Sequence, residues 1–189
     1  MARANDVKVR GYVSCVMGCP YQGAISPQAV ADVSHQLLDL GCYEISLGDT
    51  IGIGTPELAE AMFDEVFRSG KITPDIVASH FHNTYDRAIQ NLVISLSRGI
   101  TVMDSSVAGI GGCPYAKGAS GNVATEDVLY LCELLGVPHG VQTSGEGGIL
   151  EIGDYISQEL GRENLAKVGA ADFEEEVVEE RRRVLFEGQ

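Results

Sequence analysis

Basic residues are scarce in this chain: 13 lysines and arginines stand against 27 aspartates and glutamates, a formal charge of −14. A surface of that sign repels polyphosphate backbones and anionic headgroups, and no local basic patch offsets it, so neither a nucleic acid nor a membrane partner is expected. Long apolar runs are missing as well. No stretch approaches the roughly 20 residues needed to cross a bilayer, and Met1 to Arg10 lacks the apolar segment of a secretory signal. The cysteines argue against a disulfide framework. Cys15, Cys19, Cys42, Cys113 and Cys132 are odd in number and irregularly spaced, which suits reduced thiols and an intracellular location. Cys15 and Cys19 lie four apart with no second pair following, so they read as ordinary buried thiols rather than half of a zinc ribbon.

What is present is a globular composition: 189 residues, 44% hydrophobic and 21% charged, enough for a sizeable core. One local grammar recurs four times, a β-branched run, a polar or glycine-rich loop, then an amphipathic segment closed by glycine. Val7 to Ser14 reads as a strand. Ser26-Pro27 then opens a helix with an apolar stripe of Val30, Val33, Leu37 and Leu40, stopped by Gly41. Tyr43 to Leu47 starts the second unit, whose helix begins at Thr55-Pro56 and presents Leu58, Met62, Phe63 and Val66. Ile76 to His82 is the third strand, followed by a helix with Ala88, Leu92, Val93 and Leu96. Ile100 to Val107 is the fourth, and after a long loop Thr125 caps a helix bearing Val128, Leu131, Leu134 and Leu135, ended by Gly136. A further helix is expected over Ile149 to Leu160. Asp172 to Gln189 is a charged, solvated tail whose Glu179 to Arg183 spacing supports an exposed helix. Alternation of this kind implies an α/β fold with parallel strands. Both an open doubly wound sheet and a piece of a (β/α)₈ barrel satisfy it.

Candidate chemistry sits at strand ends. In His80-Phe81-His82 the two imidazoles fall at i and i+2, on one side of a strand, and can converge on an ion. Histidines simply packed at a strand end fit the spacing equally well. Their place at a C-terminal strand end, where parallel α/β folds gather functional groups, favours the ion. Asp49 follows the second strand at the equivalent place, to hold substrate, move a proton, orient a histidine or make local turn bonds. The loop Gly109 to Asn122 carries Cys113 among glycines. It lacks the glycine-lysine-serine or glycine-lysine-threonine triplet of a nucleotide-phosphate cradle. Its thiol could act as acid, base or nucleophile, or remain an inert small hydrophobe.

Val9-Arg10-Gly11-Tyr12-Val13-Ser14-Cys15, the Glu44 to Thr55 segment, the histidine pair with Thr84-Tyr85, and Asp104-Ser105-Ser106-Val107-Ala108-Gly109 running into the cysteine loop together resemble the 3-hydroxy-3-methylglutaryl-CoA lyases. The likeness runs from about Val9 to Val168, and the Gly111 to Asn122 string is its most specific part. It implies a partial TIM (β/α)₈ barrel, about four C-terminal β/α units over residues 1–171, with 172–189 as the tail. It further implies cation ligands at His80, His82 and Asn122, a catalytic cysteine at Cys113 and an active-site carboxylate at Asp49. The implied cofactor is a divalent cation, Mg²⁺ or Mn²⁺. The implied reaction is retro-Claisen cleavage of 3-hydroxy-3-methylglutaryl-CoA to acetyl-CoA and acetoacetate, as in leucine catabolism and ketone body formation. A homodimer, and a soluble mitochondrial or cytoplasmic location, go with it. Two departures are expected to matter: Asn83 stands where the family has aspartate, weakening support of His82, and the family's arginine–aspartate pair at the first barrel strand has no counterpart before Val9. The alternatives are an inactive fragment keeping part of the metal site, a related acyl-CoA synthase and, more distantly, a thiol hydrolase.

Overall fold

The computed structural model describes residues 2–113 and 121–186. These fall into two units, Met1–Asp104 with Gly112–Gly121, and Ser105–Gly111 with Asn122–Gln189.

In the first unit, strand β1 (Arg10–Val13) leads to a short antiparallel hairpin, β2 (Gly18–Cys19) and β3 (Gly23–Ala24). Then come α1 (Pro27–Asp39), β4 (Glu44–Asp49), α2 (Pro56–Phe67), β5 (Val77–Phe81), α3 (Ala88–Ser97) and β6 (Val102–Met103). The helices begin where the sequence places them. The Ser26 side chain accepts from the Ala29 amide and the Thr55 side chain from the Leu58 amide, with a proline at each first turn. The sheet order is β1-β4-β5-β6 with every pairing parallel. A doubly wound sheet reverses its strand order at a switch point. Here the order simply follows the chain, so the α/β fold is part of a (β/α)₈ barrel, and among the described residues the sheet does not close.

The helix-facing side of the sheet forms the core. Ile45, Leu47, Val77 and Phe81 pack under Met62, Phe63, Val66 and Leu92, all at most 1% exposed. Phe63 meets Phe81 edge to face, with ring centroids 6.5 Å apart. Each such side chain contributes roughly 1.5–3 kcal/mol by leaving water. The stripe expected on α1 needs correction: Val33 and Leu40 are 42% and 73% exposed, and the buried residues are Val30, Ala31 and Ser34. Small side chains on that arc let α1 lie close to α2 and β1. Leu37 itself closes over Gly11, where an added Cβ would meet it at 3.0 Å.

In the second unit, Val107–Gly109 forms a single 3₁₀ turn, followed by α4 (Thr125–Leu135), α5 (Ile149–Glu159) and α6 (Glu175–Phe186). The fourth strand, expected over Ile100 to Val107, is regular only at Val102–Met103. Past it, Ser106 makes an isolated parallel bridge with Ala124. That bridge also moves the start of α4. Thr125 is its first helical residue rather than its cap, because its amide donates to the Ser106 carbonyl (2.9 Å) and its hydroxyl pairs with that of Ser105 (2.9 Å). Gly136, at φ +67°, ends the helix in the left-handed region as expected. In α6, Val178 is buried and Arg181 bonds the Tyr130 hydroxyl and Asp172. No helix of the described residues is long and apolar enough to cross a membrane.

Candidate active site

The concave face of the first unit's sheet carries the polar side chains. Register aligns Tyr12 with Ser46 and Ala78, and Gly48 with His80, so alternate residues from neighbouring strands point to one side. That side opens into a cavity of about 510 Å³ whose wall includes Cys15, Ser46, Thr50, His80, His82 and Cys113. The structure therefore brings three of the expected site residues, His80, His82 and Cys113, onto one cavity. Residues 114–120, the centre of the cysteine loop, lie outside the described residues.

Each imidazole is anchored at Nδ1. His82 Nδ1 lies 2.9 Å from the Thr50 carbonyl oxygen, which can only accept, so this nitrogen carries the proton. His80 Nδ1 lies 3.2 Å from Asp104 Oδ2 and donates to it. With both rings neutral, both Nε2 atoms are lone pairs, and they face each other at 3.3 Å. Two lone pairs so close repel unless a cation lies between them or a proton bridges them. Burial, and then the neighbouring His80, lower the His82 pKa, which disfavours that proton on His82. Adjacent ligands of an octahedral ion with bonds of about 2.1 Å stand about 3.0 Å apart, so the pair fits a divalent cation of that size. Among the described residues no group of three or more His, Cys, Asp or Glu side chains forms a metal cluster.

Asp104 is the centre of a network that sequence reading missed. Arg10 Nη2 reaches Oδ1 at 2.8 Å and Nη1 reaches Oδ2 at 3.0 Å; the Ser46 hydroxyl donates to Oδ2 at 2.8 Å. Arg10 also bonds Glu44 and the Tyr12 hydroxyl. Burial pushes the Asp104 carboxyl up, but donation from His80, Arg10 and Ser46 outweighs it and holds the group far below the usual carboxylate range. Arg10, raised chiefly by its bond to Asp104, stays charged. Asp104 follows the fourth strand as Asp49 follows the second, and that shared position was the available signal.

Asp49 sits differently. It pairs in register with Phe81, on the face away from the histidines, and it is fully buried outside the cavity wall. Its carboxylate accepts from the Gly54 amide at 2.7 Å and the Ile53 amide at 3.3 Å. Burial nonetheless raises its pKa. The turn so held carries Thr50, whose carbonyl orients His82 and whose hydroxyl accepts from the Cys15 amide at 2.8 Å. Cys15 and Cys19 are partly exposed rather than buried, a correction that places the Cys15 thiol on the cavity wall. The support of His82 expected at Asn83 comes from Thr50 instead. Asn83 is engaged with the Ala88 amide and Asp86 at 3.2 Å each. Asn122 belongs to the second unit, where its amide donates to the Ile110 carbonyl at 3.0 Å.

The HMGL-like family profile matches residues 2–152. The mitochondrial hydroxymethylglutaryl-CoA lyase of Mus musculus is 51% identical over 170 residues, covering 90% of this chain and 51% of that protein. The cytoplasmic 3-hydroxy-3-methylglutaryl-CoA lyase of the same organism is 49% identical, over 91% of this chain and 49% of its own length. The crystal structure of hydroxymethylglutaryl-CoA lyase from Pseudomonas aeruginosa superposes with a TM-score of 0.81 at 48% identity, covering 88% of this chain and 54% of that one. The chain thus spans about half the length of the relatives it matches. These relatives are carbon–carbon lyases of a group that is metal-dependent in general. By the profile match and these identities, the chain belongs to the HMGL-like family.

Proposed function

We propose that this chain contributes to a hydroxymethylglutaryl-CoA lyase site that cleaves 3-hydroxy-3-methylglutaryl-CoA into acetyl-CoA and acetoacetate, in leucine breakdown and ketone body formation. The observation that carries the reading is the opposed Nε2 pair of His80 and His82, 3.3 Å apart, on the same cavity as Cys113. His80 and His82 hold a divalent cation, Mg²⁺ or Mn²⁺. When bound, such a cation supplies Lewis acidity toward substrate oxygens and eases loss of the tertiary hydroxyl proton.

The chain's own residues then handle protons and position. Cleavage of the carbon–carbon bond turns the hydroxyl-bearing carbon into the ketone of acetoacetate and leaves the electron pair on the acetyl-CoA carbon, which must take up a proton. Cys113 faces the cavity and is the thiol that takes part in this transfer. Asp49 acts by holding the turn that aims the Thr50 carbonyl at His82. A mitochondrial matrix or cytoplasmic location and a homodimer belong to the same proposal.

A second reading, a chain that binds the cation without turnover, draws support from the lack of a third His, Cys, Asp or Glu ligand among the described residues. One experiment separates the two. Acetoacetate release is measured with added Mg²⁺ or Mn²⁺, beside Cys113→Ala, on material sized by gel filtration. Cation-dependent release that Cys113→Ala reduces at least about 100-fold supports the lyase reading. A folded, cation-binding protein with no release supports the second. Release that survives chelation overturns both in favour of a metal-free thiol chemistry.

A further inference from the structure

The two histidines are held in different ways. Thr50 offers His82 a neutral backbone carbonyl, whereas Asp104 offers His80 a carboxylate. That carboxylate accepts from four donors: Arg10 Nη2 on Oδ1, and Arg10 Nη1, the Ser46 hydroxyl and His80 Nδ1 on Oδ2. So many donors leave Asp104 poorly placed to ligate an ion itself, and its influence on the site passes through the His80 ring.

The route by which Arg10 reaches Asp104 argues against an incidental ion pair. Arg10 lies on β1, and Asp104 follows β6, with β4 and β5 between those two strands. In a flat sheet their strands would stand about 14 Å apart, three spacings of about 4.8 Å. The bidentate bridge spans that interval on the concave face, crossing beneath Ser46 and His80. A purely stabilising pair needs only Arg10 and Asp104. This one also collects a donor from each intervening strand, and one of those donors is the histidine whose other nitrogen faces His82.

We propose that Asp104 is a positioning residue for His80: its carboxylate fixes the ring with Nδ1 protonated and Nε2 bare, and Arg10 and Ser46 lock the carboxylate in that pose. This rests on the reading of His80 and His82 as cation ligands. A carboxylate behind an imidazole fixes its orientation and strengthens its donation, and removing such a partner typically weakens metal binding about 10- to 100-fold. The lock makes His80 the stronger and more rigid donor of the pair.

The test uses the 189-residue chain with ¹⁵N-labelled histidine and Mn²⁺ as the probe. Two-bond ¹H–¹⁵N spectra report which nitrogen of His80 carries its proton, and calorimetry reports Mn²⁺ affinity. The wild type is expected to show His80 protonated at Nδ1, the tautomer free histidine disfavours. Asp104→Ala is expected to return His80 toward the Nε2-protonated form and to weaken Mn²⁺ binding about 10- to 100-fold, with His82 unchanged and Asp104→Asn intermediate. A wild-type His80 protonated at Nε2 overturns the proposal without any variant, as does a folded Asp104→Ala with wild-type spectra and affinity. His80→Ala is the separate control. If it binds Mn²⁺ as tightly as the wild type, the metal reading itself fails, while the spectra still decide whether Asp104 sets the ring.

Discussion

Asp49 and Asp104 occupy matching places at the ends of parallel strands, yet their surroundings drive them in opposite directions. Asp49 is sunk on the helix-facing side, where backbone amides of its own loop satisfy it and burial raises its pKa. Asp104 lies on the concave side, where a guanidinium, a hydroxyl and an imidazole outweigh burial and depress it. A strand-end carboxylate takes its role from the face it points to and from the charge of its donors. Position along the chain does not separate the two.

The largest effect is expected at Asp49→Ala, which strands buried loop amides and should cost about 3 kcal/mol in urea unfolding. A loss under about 1 kcal/mol would show that water replaces the carboxylate and that the turn does not depend on it. Arg10→Lys comes next. A lysine cannot reproduce the two-pronged contact with Asp104, and about 1–2 kcal/mol should be lost by the same measurement.

The two carboxylates also predict opposite pH behaviour, read from unfolding between pH 7 and pH 3. Both start from an ordinary value of 3.8. Asp104 has a lowered folded pKa, so its contribution is present above pH 3.8 and is lost as pH falls further toward the folded value. The advantage of wild type over Asp104→Asn should therefore hold from pH 7 to about pH 4 and fade below. Asp49 has a raised folded pKa, so its stabilising contribution is present below 3.8 and is lost as pH rises through the folded value. Wild type should accordingly gain on Asp49→Asn as pH drops from 7 toward 4. Parallel curves for the two variants would erase the contrast. The smallest effect is expected at Asn83→Asp, a loss of about 0.5–1 kcal/mol with Mn²⁺ affinity unchanged, because an aspartate keeps the acceptor for the Ala88 amide, loses the donor to Asp86 and does not touch His82.

Much of this architecture was legible from local pattern. Ser26-Pro27 and Thr55-Pro56 announce helices because capping is a property of four consecutive residues, and the structure uses both caps. Thr125 has the same look but is drawn into a bridge by Ser105 and Ser106, twenty residues away in sequence for the hydroxyl pair, which no local pattern encodes. The exposed Val33 and Leu40 show the same limit, since a helix's buried arc depends on the side chains opposite it.

The site divides along the same line. The two-residue period of a strand puts His80 and His82 on one side, so that pair is legible in the chain alone, as is the alternation of strands and helices. That Arg10 meets Asp104 across 94 residues, that Asp49 faces away, and that Cys113 joins the histidines on one cavity all follow from how the chain folds. The physical reason is the curl of the parallel sheet. Periodicity fixes which side a residue takes on its own strand, but the distance between side chains on different strands is set by how the strands close upon one another.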